Sequence, residues 1–166
     1  MKARRKSHQR GSAVVEMALV FLPLMFSVFS VFELGRAMWT YHTLAMAIKK
    51  GVRVAMVHGE RCAEASASCP ITVGNIVQTI QQYGVGIDTS VLQLTLTAAG
   101  QNLSCSPASS CAANDTNWPP APYNPVGATI TITGKYGFNS VLTAMWPGQT
   151  TGTFNLAAKS SETIQF

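Results

Sequence analysis

Polar and apolar positions along this chain change regime several times, and each change predicts a different element. No residue is charged from Met17 to Phe32, and across the 21 residues from Ser12 to Phe32 the only charge is Glu16. As a helix that stretch spans about 31 Å at about 1.5 Å per residue, close to the roughly 30 Å hydrocarbon core of a bilayer. The run predicts a transmembrane helix over residues 12–33. Beyond it Leu34, Met38, Tyr41, Ala45, Ile48, Val52 and Ala55 recur at alternating spacings of four and three, an a/d stripe with Lys49, Lys50 and Arg53 largely off it. The same helix should therefore extend through residues 34–58, to about Val57, with Gly59 as its stop. That makes a rod about 70 Å long, half in lipid and half outside. Its apolar seam faces either the protein's own sheet or other helices. Gly35 and Gly51 interrupt good helix formers. Pro23 inside the span leaves the Leu19 carbonyl without its usual partner, which a Ser27-type hydroxyl can absorb. It is read either as a mild kink or as a point where the helix can stretch.

Residues 59–166 read as a small α+β domain. Val73, Ile76, Val77 and Ile80 fall at helical spacing, predicting an amphipathic helix over Thr72 to Tyr83. Leu92, Leu94 and Leu96 alternate with polar residues, as do Ala128, Ile130 and Ile132, and then Phe154, Leu156 and Ala158; each is a half-buried strand. The third strand is expected to run on to Ile164 and Phe166 after a bend. Between the first two strands, Ala99 to Pro125 is rich in Gly, Ser, Asn and Pro and reads as a long loop. Strands joined without room for crossover helices predict an antiparallel meander packed on the end of the long helix.

Charge fixes the topology. Of 12 Lys and Arg, five (Lys2, Arg4, Arg5, Lys6, Arg10) precede the apolar run, and the rest balance the 7 acids. The net charge of +5 therefore belongs to a basic leader over residues 1–11, a positive-inside signal and not a nucleic-acid surface. The N-terminus should remain in the cytoplasm and everything after Phe32 should cross the membrane. A small-x-small cleavage site is missing where the run ends at Phe32-Glu33-Leu34-Gly35-Arg36, which argues against a secretory signal peptide.

Glu16 makes the anchor specific. A carboxylate in a spanning helix is costly, about 2–3 kcal/mol at the bilayer centre and less near the interface, and usually pairs. It either snorkels to the headgroups or, if the chain is cut between Gly11 and Ser12, meets the new α-amine one turn away. Cys62, Cys69, Cys105 and Cys111 are even in number and expected in an exported domain to form disulfides, with three possible pairings. Cys62 with Cys69 and Cys105 with Cys111 is favoured, since each pair closes a short loop. His42 and His58 are not spaced to complete a metal set, so neither metal nor cofactor is expected. No catalytic motif is found and an enzyme is not expected. Trp118, Pro119, Pro120 and Tyr123 either form a binding patch or pack down to order the long loop. Asn102-Leu103-Ser104 and Asn114-Asp115-Thr116 match a glycosylation tripeptide that is common by chance.

Gly11, four residues, then Glu16 behind a basic leader resembles the processing site of type IV prepilins. The stretch RGSAVVEMALVFLPLMF, then Glu33-Leu34-Gly35-Arg36, then LAMAIKKGVRVAMVHG resembles the TadE-like minor pilins of the Tad (Flp) pilus system, over about residues 10–59. Met17 departs from the aromatic that commonly follows the glutamate in major Flp pilins. The resemblance implies that Gly11 is the last leader residue, recognised by a membrane-embedded prepilin peptidase, and that Glu16 is the fifth residue of the mature chain. The partners implied are that peptidase, other Tad/Flp pilins and assembly proteins, and membrane lipid. The function expected is that of a minor pilin or pseudopilin in pilus assembly. An uncleaved bitopic scaffold or binding protein and a pseudopilin of another secretion system are the alternatives.

Overall fold

The structure is a computed structural model and describes residues 9–65, 69–141 and 153–165. Lys2, Arg4, Arg5, Lys6 and His8 of the leader, and Phe166, lie outside the described residues. Helix α1 runs unbroken over Gln9–Met56, 48 residues, or about 72 Å. Pro23 does not end it. The Ser27 hydroxyl donates 2.8 Å to the carbonyl of Pro23 itself rather than to that of Leu19, and Ser30 donates to Phe26 in the same way. Such i−4 bonds satisfy hydroxyls inside the helix, as an apolar solvent requires.

After α1 come a short helix α2 (Cys62–Ala65), helix α3 (Val73–Tyr83) and strands β1 (Gln93–Ala98), β2 (Gln101–Cys105), β3 (Thr129–Asn139) and β4 (Thr153–Thr163). The sheet order is β2-β1-β3-β4, antiparallel throughout. The fold is therefore a long apolar helix followed by a small antiparallel sheet, α+β as expected. The three strands expected are neighbours in chain order, and β4 continues straight to Thr163 without a bend. Strand β2 instead replaces part of the expected loop. Ala99 and Gly100, with φ of 45° and 87°, make a two-residue turn with both centres left-handed, the geometry that matches strand twist. Alanine seldom adopts this conformation, which costs it about 1–2 kcal/mol, so Ala99-Gly100 carries little of the hairpin signal that Asn-Gly would.

Alternation places Leu94, Leu96, Ile130, Ile132 and Ala158 on the inner face of the sheet, where α1 and α3 cover them with Leu44, Ile48, Val52, Ile76 and Ile80. Thr95, Thr97, Thr131 and Thr133 occupy the outer face, partly exposed. The sheet packs, as expected, on the C-terminal end of α1, and lies along that part of the helix. Arg36 bonds the carbonyl of Asn139 at the finish of β3, while Gln165 N–H, just past β4, donates 2.9 Å to the Met56 carbonyl. The about 30 Å of helix between those points matches the roughly 36 Å of β3 and β4.

Two glycines permit this close crossing. A Cβ on Gly51 would lie 2.7 Å from Ile80 Cγ1, and one on Gly134 would lie 2.8 Å from Ile48 Cδ1. At the start of α3, Thr72 is the N-cap and its hydroxyl accepts from Asn75 N–H at 3.3 Å. The preceding orphan donors, Val73 and Gly74 N–H, bond the carbonyls of Thr116 and Asn114, each at 2.9 Å. That pairing orders much of the long connection between β2 and β3.

Candidate functional site: an unpartnered helix and its clamp to the sheet

Among the described residues, the half of α1 that precedes Glu33 is left largely uncovered. Val14, Met17, Leu19, Leu22, Val31 and Phe32 are each about 70% exposed. The helix is long and apolar enough to cross a membrane, and its most apolar stretch is uncovered by the described residues. Apolar surface of this extent in water is untenable, so it requires lipid or other helices. Gly11, Ser12, Val15, Glu16, Leu19 and Val20 follow one another along a single strip of this surface. Ser12 and Glu16, one turn apart, are neighbours on it.

The apolar stripe after the span divides in two. Ile48, Val52 and Ala55 are fully buried against the sheet, but Leu34, Met38 and Tyr41 are 66%, 58% and 42% exposed. The residues that face the sheet are Leu44, Ala47, Ile48, Gly51, Val52 and Ala55, with Ala37, Thr40 and Thr43 half-buried before them. Leu34 and Val52, about five turns apart, lie on the same side of the helix; Val52 is buried under the domain, whereas at the level of Leu34 that cover thins out. The upper stripe is an exposed seam, and on another side of the helix Trp39 and Met46 are 69% and 62% exposed.

At the junction of the two halves sits a clamp whose role the sequence did not disclose. Glu33 and Arg36 pair at 3.2 Å, and the Glu33 carboxylate also accepts from Val141 N–H at 3.2 Å. Arg36 donates to the Asn139 carbonyl and its guanidinium lies 4.5 Å from the centroid of the Phe138 ring. Opposite charges at i and i+3 were visible as a local pair. Their reach to β3, across more than a hundred residues, was not.

Cys62 is joined to Cys69 and Cys105 to Cys111, with Cα–Cα distances of 5.9 and 5.7 Å. His58 approaches the first pair, the three potential ligand atoms lying within 4.8 Å of one another. Both sulfurs are held in the disulfide and so lack the thiolate character a metal needs, while His58 Nδ1 is 2.6 Å from the Val54 carbonyl. Trp118 is buried at 3% exposure and its backbone N–H donates 3.0 Å to the Ile71 carbonyl, so it orders the loop rather than forming a patch. Tyr123 hydroxyl accepts from Gln101 at 3.4 Å.

Residues 11–53 match the family model described as TadE-like protein. Over this stretch the chain is TadE-like. The match begins at Gly11 and covers both the unpartnered span and most of the exposed seam, which associates the protein with Tad pilus components. No curated protein and no solved structure matches the chain.

Proposed function

We propose that this protein is a minor pilin or pseudopilin that contributes to Tad (Flp) pilus assembly. It is made as a single-pass inner-membrane precursor with its N-terminus in the cytoplasm and its sheet domain exported. A prepilin peptidase cuts it between Gly11 and Ser12. It works by packing and carries out no chemistry of its own. The supporting observation is a coincidence of extent: the TadE-like residues 11–53 include every exposed large apolar side chain of α1 among the described residues. Other pilin helices are the partners that such a surface fits. The Ser12 ammonium, one turn from Glu16, offsets the cost of that carboxylate in lipid and favours one register between neighbouring helices.

Co-expression with a prepilin peptidase tests the reading. The mass of the chain should fall by that of residues 1–11, Edman degradation should begin at Ser12, and Gly11→Ala should block both changes. A chain that keeps its full mass beside an active peptidase would refute processing. Sheared filaments and membranes should then be searched for the mature chain.

A further inference from the structure

Phe154 has the parity of the inner face of β4, in line with Leu156 and the buried Ala158, yet it is 60% exposed. Its register partner Phe138 is only 6% exposed. A large aromatic on the covered face of a sheet normally lies under whatever covers that face. Here the cover thins out. Between Leu34 and Ala37 of α1 and Phe138, Phe154 and Leu156 of the sheet lies an open crevice of about 500 Å³ with almost wholly apolar walls.

The height of this crevice along the rod is fixed by the clamp. Arg36 holds the Asn139 carbonyl and Glu33 holds Val141 N–H, so the β3–β4 end is tied to the first turn of α1 after Phe32. Phe32 closes the apolar run, so that turn is where the helix leaves the hydrocarbon. Leu34 and Val141, 66% and 61% exposed, stand at the same level. Arg36 is at the depth where a guanidinium meets headgroups, and aromatic side chains favour that boundary.

We infer that this end of the sheet is a second membrane contact. Phe154, Val141 and Leu34, with the crevice that Phe154 and Leu34 border, enter the boundary between headgroups and acyl chains of the bilayer that α1 crosses. The exported domain therefore rests on the membrane and does not stand off it. The opposite end of the sheet, at Thr163, is a whole strand length away in water. The inference rests on the spanning role of α1 proposed above and adds a contact to it.

Nitroxide labels on the full chain, reconstituted in phosphatidylcholine–phosphatidylglycerol vesicles, test it through collision with oxygen, which partitions into lipid, and with a water-soluble nickel chelate. The labelled positions are Phe154→Cys, Val141→Cys, Thr163→Cys and Leu22→Cys, all exposed sites that tolerate the change. The oxygen-to-nickel ratio at 154 and 141 should be severalfold that at 163 and approach that at 22. If 22 reads as lipid while 154 and 141 read as 163 does, the second contact is wrong and the spanning helix stands. If 154 and 141 are shielded from both reagents, protein covers the crevice, whether a second copy or the connection 142–152, and the inference is overturned. If 22 itself reads as water, the spanning role fails and takes the contact with it.

Discussion

Gly51→Ala isolates what the crossing of α1 over the domain requires. In an ordinary helix interior the change gains about 1 kcal/mol of propensity. Here the new Cβ would stand 2.7 Å from Ile80 Cγ1 and 2.9 Å from Ile80 Cδ1, with Ile132 Cδ1 at 3.6 Å. Ile80 is 1% exposed and has no room to retreat without moving α3. Overpacking a close-packed core costs about 1–3 kcal/mol, and a contact to Cγ1 rather than to a chain end places this case near the top. The net is a loss of about 2 kcal/mol, which lowers the midpoint by about 5–10 °C in a domain of this size. The assay is thermal unfolding of the full chain in detergent, followed by near-UV circular dichroism. Gly35→Ala is the control, because nothing lies within 4 Å of its Cβ position; its midpoint should not fall. A Gly51→Ala protein as stable as the parent, or more so, would refute the close crossing. Adding Ile80→Ala should recover part of the loss beyond additivity, since the clash is between those two side chains.

Replacing Cys105 and Cys111 together by serine removes a closure of a short loop, for which chain-entropy reasoning gives about 2 kcal/mol; denaturant titration should show that loss, and peptide mapping of the parent should recover Cys62–Cys69 and Cys105–Cys111 peptides. Met38→Glu, on the exposed seam at 58% exposure, should leave the thermal midpoint within the usual surface range of about ±0.5 kcal/mol yet reduce filament yield in a complementation assay; unchanged yield would remove the seam from assembly. The Asp88 carboxyl is held below its ordinary value by the Ser90 hydroxyl and backbone N–H, at 2.7 and 2.9 Å. Because the folded value is depressed, its contribution is complete above the unfolded value and disappears as pH falls through the folded one. Asp88→Asn should flatten that acid limb slightly, and a carboxyl carbon titration by NMR should place the parent's midpoint below that of a model peptide.

The fold was legible wherever one period dominated over enough residues. The uncharged run Met17–Phe32 gave the span, and the alternations around Leu94, Ile130 and Leu156 gave strands whose neighbours follow from short connections. Illegible features depended on single local conformations or on distant partners. Strand β2 turns on Ala99 accepting a left-handed backbone, which its residue type does not announce. The clamp joins Glu33 and Arg36 to Asn139 and Val141, and no local pattern encodes a contact so remote in sequence. Within the candidate site, Gly11 and Glu16 were legible as a pair at a telling spacing, while the exposure of Leu34 and Met38 was not.

By itself, then, the sequence determined which stretch must leave water, which segments alternate and where the charges lie, since these are properties of composition and period. The tertiary structure decided which side of α1 the sheet covers. A stripe of seven apolar residues can be read as one seam, but the domain covers only its C-terminal part. Gly51 and Gly134 then set how closely the rod can be approached, and the clamp sets how far along it the sheet reaches. Buried and exposed halves of one apolar stripe differ because packing, not pattern, decides how far along the helix the cover reaches.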